Sequence, residues 1–211
     1  MQINHLINQI KNRQPDIFGK DKMRKSAVLI PLIEKDGQIH ILFEVRSMKL
    51  RSQPGDICFP GGRIDPTDDS PKHCAIRETC EELGIDGNHI KDLAPLDYIV
   101  SDMGRIIYPY VGKIVNAKKI KINTAEVEEV FTVPLQFFLE NKPEVFKVHF
   151  KAIPEENFPF DLIVGGKNYK WSMPHVDELF YQYEGRVIWG LTAKILAHLI
   201  DIITNKIPKN T

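Results

Sequence analysis

Several things are scarce in this chain, and each scarcity excludes a class of protein. There is no net charge, with 28 basic and 28 acidic residues. That removes the basic footprint expected of a nucleic-acid-binding protein. Three cysteines, Cys58, Cys74 and Cys80, cannot all pair. Their spacing is not that of a zinc site, so reduced, packed thiols in a reducing compartment are expected. No apolar run approaches the ~20 residues of a membrane-spanning helix, and no signal-peptide core opens the sequence. Pro208-Lys209-Asn210-Thr211 is not a peroxisomal address of the Ser-Lys-Leu type. The resulting expectation is a cytoplasmic protein with no nucleic-acid or membrane partner. Repeats and low-complexity segments are absent too. What is present is ordinary globular composition, 43% hydrophobic and 27% charged over 211 residues, enough for one domain with a sizeable core.

Along the chain, Ile3, Leu6, Ile7 and Ile10 have helical spacing, so residues 3–12 are expected to lie as an amphipathic helix on the body of the domain. Residues 1–24 are read as this helix and a linker, and residues 25–211 as a single globular domain. Ala27–Ile33 is a strand-length apolar run. Asp36-Gly37 signals a hairpin turn, after which Ile39–Val45 resumes the strand pattern. Arg46, Lys49 and Arg51 lie in a following basic loop suited to gripping phosphate.

The informative stretch is 57–85. An apolar strand, Ile57-Cys58-Phe59, runs into the turn Gly61-Gly62. Ser70 and Pro71 read as N-cap and first residue of a helix, and Gly84 as its left-handed stop. On this helix Glu78, Glu81 and Glu82 share one side. Like charges so placed cost roughly 0.2–0.5 kcal/mol per pair, with Arg77 giving relief only to Glu81. They also sit where the helix dipole is already negative. A hard divalent cation, Mg2+ or Mn2+, removes both penalties.

These residues resemble the Nudix box, G-x5-E-x7-R-E-U-x-E-E-x-G-U with U aliphatic. Arg77-Glu78, Glu81-Glu82, Gly84 and Ile85 fall in register. Between Gly62 and Asp69, taken as the early acid, lie six residues rather than five, and Thr79 holds an aliphatic position. Upstream, Arg46-Ser47, Arg51, Gly55 and Phe59-Pro60-Gly61-Gly62 match the motif R-[SA]-x3-R-x3-G-x3-F-P-G-G of the coenzyme A diphosphatase branch. Leu42-Phe43-Glu44 stands where that branch usually has Leu-Leu-Thr. The resemblance implies an α/β fold, the Nudix α/β/α sandwich with a mixed central sheet, over roughly residues 25–205. It implies metal-dependent hydrolysis of the diphosphate of coenzyme A or its thioesters, giving 3′,5′-ADP and 4′-phosphopantetheine or its acyl form. It assigns metal binding to Glu78, Glu82, Glu81 and the Gly62 carbonyl, and substrate binding to Arg46, Ser47 and Arg51. Catalytic parts fall to Glu81 as base, to Arg77 in orienting the carboxylates, and to a glutamate just before a late strand. Glu128 is the candidate there, with Glu126 and Glu129 equally available. Two alternatives are a hydrolase of ADP-ribose or a dinucleoside polyphosphate, and a non-catalytic ligand sensor on the same fold.

Further strands are expected at 96–100, 106–115 and 126–135, with Pro109 marking an edge or bulge. Residues 145–171 read as a hairpin excursion divided by Gly165-Gly166, overhanging the site or making a homodimer contact. Trp171 and His175 at its end carry no assigned chemistry. The last helix is expected to begin within 187–193 and to bury Ile195, Leu196, Leu199, Ile200 and Ile203.

Overall fold

A computed structural model describes residues 3–101, 104–173 and 175–206. The readings at 102–103 and 208–211 lie outside the described residues. β1 (Arg24–Lys35) is the spine of an eight-stranded sheet. It runs parallel to β7 (Arg105–Ile114) from Arg24↔Arg105 to Leu32↔Lys113. Its other edge is shared by two antiparallel partners, β2 (Gln38–Arg46) at one end and the short β4 (Gly61–Arg63) at the other. β3 (Ile57–Cys58) and β8 (Val127–Pro134) pair with β2, while β5 (Ile90–Pro95) and β6 (Ile99–Ser101) pair with β7. β1 opens at Arg24, one residue before the expected boundary. The β1–β2 turn is the one the dipeptide specifies, with Asp36 and Gly37 both at positive φ (51° and 73°).

Helices cover both faces, because alternate residues of the central strands are apolar in both directions. Leu29 and Leu42 face α2 (Pro71–Leu83) and meet Leu83 and Ile85. Ile30, Ile41 and Phe43 face the other way, onto Phe138 of α3 (Leu135–Glu140) and onto α4 (Gly190–Ile203). There Ile195, Leu196, Leu199 and Ile200 are buried, each worth about 1.5–3 kcal/mol by transfer. Ile203, expected in that stripe, is 44% exposed at the helix end.

Several expectations need correction. α1 (Ile3–Ile10) forms but buries nothing, and its apolar stripe stays exposed. Of the strand expected at 96–100 only the end forms, as β6 from Ile99, and 96–98 is a gap between it and β5. Pro109 is therefore not at an edge. It lies inside β7 where the partner strand is interrupted, with its carbonyl accepting from Leu96 N at 2.9 Å, so the missing N–H faces the gap. The excursion is not a 145–171 hairpin. β9 (Glu144–His149) pairs with β10 (His175–Tyr183) across an irregular span, and β11 (Arg186–Trp189) completes a separate three-stranded sheet. β11 takes up 187–189, and α4 starts at Gly190, inside the expected 187–193.

Candidate active site

α2 is built as its caps dictate. Ser70 has extended backbone and its hydroxyl accepts from His73 N at 3.2 Å; Pro71 follows at the first helical position, and Gly84 closes the helix at φ 61°. Thr79 is tolerated at its buried position because its hydroxyl donates to Ala75 O at 2.6 Å. The C-terminal carbonyls do not dangle: Lys121 N donates to Leu83 O and Asn123 N to Glu82 O, both at 2.9 Å. The 121–123 segment therefore crosses the end of α2 and delivers residues 124–126 beside the glutamates.

The glycine turn is drawn against the sheet from the other side. Gly61 pairs with Val28 and Gly62 with Ala27. A Cβ on Gly61, at φ 153°, would come within 2.4 Å of Ala27 O and 2.7 Å of Val28 Cα. Gly61 N donates to Glu82 Oε2 at 2.8 Å. A Cβ on Gly62 would fall 2.3 Å from the Glu78 carboxylate. The two glycines thus let backbone and carboxylates approach more closely than any side chain allows.

Arg77 organises the acids. Its Nε and an Nη donate to the two oxygens of Asp68 at 3.0 Å each, and it also reaches Glu78 at 3.0 Å and Glu81 at 3.1 Å. Asp68, not the exposed Asp69, is therefore the early acid. The extra residue of the box falls after it, since five residues (63–67) lie between Gly62 and Asp68. Arg77 holds the Asp68 carboxyl well below the usual aspartate range. Glu82 and Glu78 are pushed the other way, chiefly by burial and then, for Glu82, by the charge of Glu44. Glu44, on β2, is itself 1% exposed and raised by burial. Glu81 is about half exposed.

The three candidates before β8 separate. Glu129 is claimed by Arg186, with Nη to Oε distances of 2.6 and 3.2 Å. Glu128 is exposed at a bulge: Val45 faces Glu129 and Arg46 faces Val127, so Glu128 is the extra residue. Glu126 adds its charge to those raising Glu44, Glu78 and Glu82. The structure thus favours Glu126 over Glu128 as the acid next to the cluster. Ser47 is not at a substrate surface: it is wholly buried, donating its N–H to Glu126 O at 2.8 Å and so positioning that loop. Arg46 lines a cleft of about 410 Å³ together with Gly61, Gly62, Arg63 and Trp189. Arg51 is exposed on the loop leading to it. A larger cavity, about 830 Å³ between α1 and residues 11–21, holds none of these acids.

The donor set suits a hard cation: glutamate oxygens and Glu44 Oε2, buried with no hydrogen-bond partner among the described residues, while the Gly62 carbonyl accepts from Cys74 Sγ at 3.7 Å. Among those residues no three acidic, imidazole or thiol groups already stand at metal spacing. Sequence reasoning missed two participants, Asp68 and Glu44, and left Glu126 as an alternative to Glu128. Asp68 was signalled by the five residues between it and Gly62, Glu44 by an acid replacing threonine in an apolar strand, and Glu126 only by its proximity to β8.

Comparison with known proteins agrees with this geometry. The NUDIX domain family model matches residues 23–155. The chain is 36% identical over 210 residues to the peroxisomal coenzyme A diphosphatase NUDT7 of Mus musculus, covering 97% of this chain and 83% of that protein. It is 30% identical over 183 residues to the mitochondrial coenzyme A diphosphatase NUDT8 of Homo sapiens, covering 84% and 69%. A MutT/nudix family protein from Enterococcus faecalis superposes with a TM-score of 0.50 at 14% identity, over 97% of this chain and 70% of that one, and speaks for the fold. With the family model spanning more than half of its 211 residues and a relative above 30% identity spanning nearly all of it, the chain belongs to the Nudix hydrolases and is an enzyme of their diphosphatase kind.

Proposed function

We propose that the chain hydrolyses the diphosphate bond of coenzyme A or its thioesters, giving 3′,5′-ADP and 4′-phosphopantetheine or its acyl form. The observation that carries this reading is the meeting of two sequence motifs in one cleft. The Gly61-Gly62 turn has Glu78 and Glu82 directly behind it, and Arg46, from the upstream motif, stands on the same wall. The relatives named as coenzyme A diphosphatases support the same substrate.

Glu78, Glu82, Glu81 and the Gly62 carbonyl are the groups to hold Mg2+ or Mn2+. Such an ion supplies charge neutralisation on the diphosphate and an acidified water. Arg77 keeps Glu81 and Glu78 aligned through Asp68, a fixed point below the helix. Glu81, half in solvent beside Arg77, and Glu126, at the cluster's edge, are the two candidates to take a proton from the attacking water. Arg46 and Arg51 offer guanidinium forks to the phosphates, of which coenzyme A carries three.

The test is incubation of the purified chain with coenzyme A and Mg2+ or Mn2+, with mass analysis of the products. ADP-ribose and a dinucleoside polyphosphate serve as competing substrates, and Glu82→Gln as control. The expected products are 3′,5′-ADP and phosphopantetheine, with turnover lost by orders of magnitude in the mutant. Faster cleavage of either competitor rejects the substrate; no cleavage of any diphosphate under saturating metal turns the reading to a ligand sensor.

A further inference from the structure

We propose that Glu44 is an additional ligand of the divalent-cation site, placed on the sheet side of the cluster where the related branch has a threonine. The inference rests on the reading of Glu78 and Glu82 as cation-holding. Glu44 alternates along β2 with Phe43, so it shares the face of Leu42, which packs with Leu83 of α2. Its carboxylate therefore enters the layer between sheet and α2, at the end where Glu82 sits. It is 1% exposed. Oε1 accepts only the weak donor Cys58 Sγ–H, at 3.3 Å, and Oε2 is buried without a hydrogen-bond partner among the described residues.

The charges around Glu44 are mostly of its own sign. Arg46, two residues along the strand, attracts it, whereas Glu126 and Glu78 repel it, and Glu44 in turn is the principal like charge acting on Glu82. A buried carboxylate with an idle oxygen is costly in a fold that needs it only for packing. Threonine or leucine would fill the layer more cheaply. A cation shared with Glu82 uses the idle oxygen and turns the mutual repulsion into joint attraction. Cys58, donating to Oε1, fixes which oxygen remains for the ion.

The test is Mn2+ binding to the full-length, metal-stripped chain without substrate, read by electron paramagnetic resonance of free Mn2+ and by the metal-induced rise in melting temperature. Wild type, Glu44→Gln, Glu44→Thr and Glu82→Gln are compared. Tenfold or weaker Mn2+ affinity, or one ion fewer, is expected in both Glu44 variants, with a smaller metal-induced rise and an unchanged or higher metal-free melting temperature. Threonine covers the case in which glutamine fails to fold. Wild-type affinity and stoichiometry in a folded Glu44 variant, with binding lost in Glu82→Gln, overturns the role of Glu44 and leaves the site reading standing. Absence of Mn2+ binding in wild type overturns both.

Discussion

Substituting Gly62 by alanine separates the site from the fold. The new Cβ would sit 2.3 Å from Glu78 Cδ and Oε1 and 2.6 Å from Oε2, against an ordinary contact of 3.4 Å or more. The obstacle is the far end of a flexible side chain, so relief requires the Glu78 carboxylate to withdraw by roughly 1 Å, at a rotamer cost of about 0.5–1.5 kcal/mol. Misplacing a reacting group by that much costs on the order of 10²-fold in rate, or about 2.7 kcal/mol of transition-state stabilisation. Gly61→Ala is the matched opposite. Its Cβ meets backbone atoms, Ala27 O and Val28 Cα, at a φ that disfavours alanine. The expected cost is about 3 kcal/mol or more, a fall of roughly 6–12 °C in melting temperature. Steady-state turnover of coenzyme A and differential scanning calorimetry on both variants make the measurement. Gly62→Ala is expected to melt within a few degrees of wild type, by the roughly 2–4 °C per kcal/mol of such domains, and to lose most of its turnover. Turnover within threefold of wild type would show that Glu78 does not act against the Gly62 turn.

Two further outcomes follow from the electrostatics. Arg77→Lys removes the two-pronged grip on Asp68 while keeping one charge, so kcat should fall at least tenfold with the far-ultraviolet circular dichroism unchanged; undiminished kcat would rule out orientation of the carboxylates by the guanidinium. In metal-free protein the Glu44, Glu78 and Glu82 carboxyls are raised above their unfolded value of about 4.3. The folded state then holds protons the unfolded state has released. The stability these groups confer is complete below that value and is lost as pH rises through their elevated folded values. Asp68, depressed, works in reverse, losing its contribution on acidification. Urea midpoints should therefore decline from mildly acidic into alkaline solution without metal, and saturating Mg2+ should flatten the decline. A metal-free profile that rises over that range contradicts the burial of these acids.

Local signals were enough for α2, for the Asp36-Gly37 hairpin and for the Gly61-Gly62 turn, because caps, turns and i to i+4 neighbours act within a few residues. They also placed Glu78, Glu81 and Glu82 on one side of the helix, with Arg77 four residues before Glu81. They could not say where the apolar stripe of α1 goes, since spacing specifies a helix and not its partner. Nor could they assign 145–175, where β9 waits for a strand that arrives only at His175.

The sequence by itself determined the helix, its carboxylates and the glycine turn that faces them. Only the tertiary structure decided that Arg77 grips Asp68 and not Asp69, that Glu126 rather than Glu128 adjoins the cluster, and that Glu44 lies buried behind Glu82. The first joins residues nine apart, through the loop folding back onto α2; the other two depend on sheet register and on the crossing of 121–123 over the end of α2, which join residues some 40 to 80 positions apart. Contacts over such separations are set by the packing of the whole sheet, and no short run of residues encodes them.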